Sequence, residues 1–214
     1  MGWIDENGNP SLSQGKALRP TLCLYTCESL GTPYEKALPA AVALELIHNF
    51  SLIHDDIQDK DLIRHHKPTL WARLGTSKAL LAGNIMRVTA DKTATGLRSN
   101  NLPPSVIFEV LELLTQSSLE MIEGQFLDIQ FESQSKISIN DYLKMISLKT
   151  GALIRTSIKV GALVGTQNRK IISNFNDFAI NLGFAFQIRD DYLGIWGKSA
   201  ETGKAVGADI LRKK

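Results

Sequence analysis

The residues best suited to chemistry are five aspartates: Asp55, Asp56 and Asp59 in SLIHDDIQDK, residues 51–60, and Asp190 and Asp191 in FAFQIRDDYLGIWG. On a helix, Asp55 and Asp59 lie one turn apart on one face, with Asp56 about 100° round from Asp55. Carboxylates at that spacing repel unless a cation sits between them. Hard oxygen ligands with no Cys or His cluster beside them favour magnesium, which keeps several waters and bridges to substrate phosphates. A solvated helix end with an N-terminal acidic bias would account for one such motif. Two motifs, each followed by basic residues, point to a shared ligand. Arg64, His65, His66 and Lys67 follow Asp59, while Lys204, Arg212, Lys213 and Lys214 follow the second pair. Lys16 and Arg19 in GKALRP suit a phosphate at the start of a helix, and LKTG at 148–151 sets Lys149 beside the hydroxyl of Thr150. Together they describe a cavity with metal-binding acids and at least two sets of anion-binding bases.

These residues need a frame. Apolar residues recur at spacings of three and four, as in Leu38, Val42, Ala43, Leu46, Ile47 and Phe50, which predicts helices. Breaks fall at GTP (31–33), HHKPT (65–69), RSNNLPPS (98–105), SQSKIS (133–138), GTQNRK (165–170) and GKSAETGKAVG (197–207), dividing the chain into roughly six to eight helices. No alternation of period two interrupts them. The expected fold is all-α, one helical domain over residues 1–214. With 214 residues and 43% hydrophobic content, the chain can bury a sizeable core.

Charge and cysteines narrow the setting. The 24 Lys and Arg nearly balance 22 Asp and Glu, and a net charge of +2 gives no global reason to expect nucleic acid or an acidic membrane surface. Any anion site must be local. Cys23 and Cys27, four apart on one predicted helix, are poorly set for a disulfide and read as buried thiols in a reducing compartment. No apolar run approaches the ~18 residues of a membrane span, and the N-terminus has no signal-peptide pattern. The cytoplasm is the expected location.

GKALRP, LIHDDIQD, RHHKPT, GQFLD, LKTG, FQIRDD and GKAVGAD, in this order and spacing, resemble a trans-isoprenyl diphosphate synthase of the polyprenyl synthetase family. The resemblance implies an isoprenoid-synthase-type helical bundle around a central cavity. It implies condensation of isopentenyl diphosphate with an allylic diphosphate by Mg²⁺-assisted ionisation, using three Mg²⁺ ions with Mn²⁺ as a substitute. Asp55 and Asp59 would hold two ions with Asp56 supporting them. Asp190 would hold the third with Asp191 beside it, and Asp128 would act on the metal at one remove. Arg64, Lys149, Gln187, Lys204 and Lys213 match positions that bind the allylic diphosphate or its metal cluster, with Thr150 accompanying Lys149 and Gln125 lining the allylic side. Lys16, Arg19 and His48 match the pocket for isopentenyl diphosphate. His65 stands there where the family has an arginine, and a neutral histidine would bind phosphate more weakly.

Phe50 and Ser51, five and four residues before Asp55, match positions that limit product length. An aromatic followed by a small residue resembles the short-chain, geranylgeranyl type, with farnesyl as the near alternative. Homodimers are usual in the family and are expected here.

The sequence also departs from the family. Gly194 replaces a frequent third aspartate, Lys198 stands where an acid is common, and Asn84 replaces another aspartate without a functional account. Family members run longer, with a helix before GKALRP and more after DILRKK, so truncation at both ends is expected. Two other readings use the same residues. A non-catalytic or fragmentary subunit fits His65, Gly194 and the short chain. A class I terpene cyclase shares the helical fold, but it carries a different second metal motif and has no use for Lys16 and Arg19.

Overall fold

The computed structural model describes residues 17–64 and 67–197. They form eight α-helices: α1 (Leu18–Ser29), α2 (Leu38–Gln58), α3 (Leu70–Leu74), α4 (Thr76–Ala94), α5 (Pro104–Glu132), α6 (Ile139–Ile146), α7 (Ala152–Gly165) and α8 (Arg169–Trp196). The all-α expectation holds.

Local chemistry explains where the helices begin. Pro39 and Pro104 occupy the first turns of α2 and α5, where a missing N–H costs nothing. The Ser138 hydroxyl accepts from the Asp141 N–H at 3.1 Å and caps α6. Asn168 caps α8 by accepting from the N–H groups of Lys170 and Ile171 at 3.0 and 3.3 Å. Along α2 the buried residues Ala40, Ala43, Leu44, Ile47, Phe50 and Ile53 repeat at spacings of three and four, so one stripe faces the core.

Helix α7 is the axis of the packing. It is buried on nearly every side and lies against α1, α5 and α8, while α2 lies along α4. Leu153, Ile154 and Ile158 are at most 1% exposed, and each contributes about 1.5–3 kcal/mol by leaving water. An ion pair between Arg155 of α7 and Glu120 of α5 adds a polar tie between two core helices. Cys23 and Cys27 are free, buried thiols on α1, as their spacing predicts.

Three features depart from the sequence reading. A short antiparallel hairpin, β1 (Ile63–Arg64) with β2 (Lys67–Pro68), follows α2, its register pairing Ile63 with Pro68 and Arg64 with Lys67. Strands of two residues are too short to show alternation. A π-helical turn, Ser147–Gly151, separates α6 from α7. The third concerns the expectation that no segment is apolar enough to span a membrane. The helical stretch Tyr34–Gln58 meets that test by length and composition, with a mean hydropathy of 1.3. Half of it is buried inside the bundle, because its apolar stripe packs against α4 and α1.

Candidate active site

The first acidic motif occupies the C-terminal end of α2, with Asp59 as the C-cap. That end carries the partial negative charge of the helix dipole, so carboxylates there are disfavoured, and the last turn contains no basic residue of its own. This placement removes the solvated N-terminal end as an explanation. The cations come from elsewhere in the chain. Arg64 of β1 donates from Nε to Asp56 Oδ1 at 2.6 Å and from Nη2 to Asp55 Oδ2 at 3.4 Å. Lys149, in the π-helical turn, donates to Asp128 Oδ2 of α5 at 2.6 Å and lies 3.8 Å from Asp55 Oδ1.

The three aspartates are not equivalent. Asp56 is 5% exposed; burial pushes its carboxyl above the usual range, against the opposing pull of Arg64. It anchors Arg64. Asp55 Oδ1 is buried yet has no hydrogen-bond partner among the described residues, and a buried acceptor left in that condition is costly. His48, Ser51, Asp55 and Asp59 share one face of α2 by their spacing of three, seven and eleven residues.

Arg19 of α1 and His48 form a second group beside Arg64, with the positive charge on Arg19 alone. Arg19 Nε is shut off from solvent without a hydrogen-bond partner among the described residues. Burial pushes the guanidinium pKa down to about 10, with Glu45 opposing. Burial, then Arg19, then Arg64 push His48 down to about 2, so its ring is neutral at physiological pH. Ser51 donates to the His48 carbonyl at 2.7 Å.

The second acidic motif lies on α8 and joins the first through the π-helical turn. Thr150 donates to Gln187 Oε1 at 2.5 Å, and Gln187 Nε2 donates to Asp191 Oδ1 at 2.7 Å. Tyr142 of α6 donates to Asp191 Oδ2 at 2.6 Å. Asp190 is exposed. The turn is gripped from both sides. A Cβ on Gly124 of α5 would lie 2.2 Å from the Lys149 nitrogen, and one on Gly183 of α8 would lie 3.0 Å from Gly151 Cα. Only glycine lets both helices approach the backbone that presents Lys149 and Thr150, and π-turns of this kind recur at functional sites.

Asp55, Asp56, Arg64, Asp128, Lys149, Thr150, Gln187 and Asp191 are therefore brought into one chain of contacts. Gln125 of α5 meets Gln58 of α2 at 3.0 Å on the same side. Phe50 is buried and stands edge-on to His54, ring centroids 5.0 Å apart, and the His54 ring in turn lies against Gly83 of α4. Lys16, His65, Lys204 and Lys213 lie outside the described residues. Sequence reasoning missed Tyr142 and Gln58. Nothing in the local pattern marks Tyr142, whose partner is 49 residues away.

The donor set fits a divalent ion. Among the described residues no three carboxylates or imidazoles converge into a closed cage. An ion held by Asp55 and Asp59, or by Asp190, would take the rest of its shell from water and phosphate oxygens, as magnesium does. The orphaned Asp55 oxygen is the acceptor such an ion would satisfy. Two hollows among the described residues, of about 220 Å³ beside Gln130 and Asp141 and about 120 Å³ beside Arg169, are lined by neither acidic motif.

An all-helical bundle in which two acidic helix segments meet across a lysine-bearing turn is the class of architecture that the fold and site define. The profile of the polyprenyl synthetase family matches residues 2–214, and the chain belongs to that family. A (2E,6E)-farnesyl diphosphate synthase of Mycobacterium tuberculosis is 39% identical over all of this chain, which covers 58% of that protein. A geranylgeranyl diphosphate synthase of Sulfolobus acidocaldarius is 39% identical over 94% of this chain and 61% of its own length. The crystal structure of a polyprenyl synthetase from Streptomyces coelicolor superposes with a TM-score of 0.88 at 37% identity, covering 100% of this chain and 62% of that one. The chain thus spans less than two thirds of the length of these relatives.

Proposed function

We propose that the protein carrying this chain is a trans-prenyltransferase. It condenses isopentenyl diphosphate head to tail with an allylic diphosphate, dimethylallyl, geranyl or farnesyl, and yields a short-chain prenyl diphosphate of geranylgeranyl length. The observation that carries the reading is Asp55 Oδ1, a buried carboxylate oxygen without a hydrogen-bond partner among the described residues, beside two cations already engaged by other carboxylates. Three Mg²⁺ ions, or Mn²⁺ in their stead, held by Asp55, Asp59 and Asp190, would supply charge neutralisation to a pyrophosphate leaving group.

The chain's own residues do the rest. Lys149 and Arg64 add positive charge beside the leaving group, joined by Lys204 and Lys213 and steadied by Gln125, Thr150 and Gln187. As the allylic C–O bond breaks, its electron pair leaves with pyrophosphate. The double bond of isopentenyl diphosphate then forms the new C–C bond, and a proton passes to the departed pyrophosphate. Arg19 and His48, with Lys16 and His65, hold the isopentenyl diphosphate end; a guanidinium Nε without a partner gains most from a phosphate oxygen. Phe50, with Ser51, sets the floor of the prenyl channel.

We read the 214 residues as one domain of a cytoplasmic homodimer. The buried free thiols support the compartment. The dimer reading is supported by Leu81, Ile85 and Val88, 60 to 68% exposed and in line along α4; sedimentation velocity giving a monomer at micromolar concentration would overturn it. For the reaction, the purified protein is incubated with MgCl₂, labelled isopentenyl diphosphate and each allylic diphosphate in turn. Elongated products are expected. Binding of both substrates without elongation from any starter would overturn the reading, and hydrocarbon released from an allylic diphosphate alone would indicate a cyclase.

A further inference from the structure

We propose that Tyr142 is the positioning residue of the second acidic motif: its hydroxyl pins Asp191 and, through Gln187, fixes the hydroxyl of Thr150. The inference rests on the diphosphate reading above and adds to it a residue on α6, a helix that contributes no charged group to the site.

The geometry is a directed chain. Both oxygens of Asp191 are occupied, Oδ2 by Tyr142 at 2.6 Å and Oδ1 by Gln187 at 2.7 Å. A carboxylate can only accept, so Asp191 obliges Gln187 to turn its NH₂ towards α8 and its carbonyl towards the π-helical turn. That carbonyl accepts from Thr150 at 2.5 Å. Thr150 therefore spends its single proton inside the protein and offers only lone pairs outward, leaving Lys149 as the donor of the turn. The phenol is the donor of this pair, because a carboxylate has no proton to give and an ordinary tyrosine ionises only at pH ~10. Tyr142 is held in place by its own helix, with the Ser138 cap four residues before it and Ile146, 2% exposed, four residues after it.

The arrangement divides labour within the pair. Asp191 faces protein donors, while Asp190, about 100° further round the helix and exposed, is the one that can meet a cation. Asp56 and Asp55 divide in a comparable way, Arg64 donating at 2.6 Å to the more buried Asp56 and only at 3.4 Å to Asp55 Oδ2. Without the phenol, Asp191 regains a free oxygen and can rotate, and Gln187 and Thr150 lose their fixed direction.

The test is Tyr142→Phe, which keeps the ring and removes the hydroxyl. Mn²⁺ binding in the presence of inorganic pyrophosphate is followed by electron paramagnetic resonance, alongside the thermal unfolding midpoint. Weakening of Mn²⁺ affinity by about 10-fold or more is expected, at a midpoint within a few degrees of wild type. Asp191→Asn should weaken it similarly, and the double variant no further. Wild-type binding left unmoved by Tyr142→Phe would overturn this inference alone. A wild-type protein that bound no Mn²⁺ with pyrophosphate would overturn the diphosphate reading along with it.

Discussion

Lys149 Nζ stops 3.8 Å from Asp55 Oδ1, too far for a hydrogen bond, while it donates to Asp128 at 2.6 Å. The lysine is thus held by a carboxylate on another helix, and Asp55 Oδ1 is left for a different cation, its Oδ2 lying 3.4 Å from Arg64 Nη2. Asp55→Ala is expected to lower turnover by at least about 10²-fold, the scale seen when one electrostatic stabiliser of a transition state is removed. The fold should lose little, because the change also relieves crowding among three carboxylates at one helix end. Steady-state assay with MgCl₂ beside thermal unfolding checks both, and retained activity would remove the metal role.

The glycine that seats the π-helical turn should be intolerant of any side chain. In Gly124→Ala the new Cβ would fall 2.2 Å from the Lys149 nitrogen and 2.6 Å from its Cα. Backbone cannot swing aside as a side-chain tip can. A loss of about 1–3 kcal/mol is expected from the overpacking, with turnover reduced by roughly 10²-fold if Lys149 moves by about an ångström. Urea midpoints and kcat measured together would show the outcome; wild-type values for both would mean the turn can shift freely.

Histidine 48 gives the protein an acid liability of defined sign. Its folded pKa is about 2, against an ordinary 6.5, so the unfolded chain takes up a proton that the folded one refuses. Stability is complete above pH 6.5 and falls as pH drops through the window down to about 2, by at most ~1.4 kcal/mol per pH unit from this group. The cause is burial between Arg19 and Arg64, from α1 and β1. His48→Gln should flatten the acid limb of denaturant midpoint against pH, and an unchanged limb would show that other groups govern it.

Much of this is legible in the amino-acid sequence. The spacing of Ala40, Leu44, Ile47 and Phe50 gives the buried stripe of α2, and DDIQD with RDDY gives the two acidic ends. What could not be read depends on non-local approach or on a single extra residue. The π-helical turn adds one residue to a helical path without changing composition, so LKTG looks like ordinary helix. The hairpin at Ile63–Pro68 is too short for a period. The meeting of Gly124 with Lys149, or of Tyr142 with Asp191, is a consequence of packing among α5, α6 and α8. Helix polarity was legible in part: the breaks at 31–33 and 65–69 already leave DDIQD near a C-terminal end, where the dipole makes three carboxylates unfavourable, and the structure fixes Asp59 as the C-cap.

Phe50 tests the link between core and product. Its ring is 6% exposed, so Phe50→Ala should cost about 3–5 kcal/mol. It should also lengthen the product, because the vacated space lies five residues before Asp55, about 7.5 Å back along the helix axis. Chromatography of the prenyl products reads the second effect independently of the first. An unchanged product length with the stability loss intact would make Phe50 a packing residue only.

Because α2 terminates in an excess of negative charge that no residue of its own last turn offsets, a divalent cation bound there would serve as the counter-ion the helix lacks. Loading the site and tightening the bundle then become one equilibrium, since any ligand that favours the folded state stabilises it. Millimolar Mg²⁺ should raise the unfolding temperature of the wild-type protein and leave that of Asp55→Ala nearly unmoved, as differential scanning fluorimetry would report. On the proposed reading, a shortage of magnesium would loosen the bundle as well as slow the reaction.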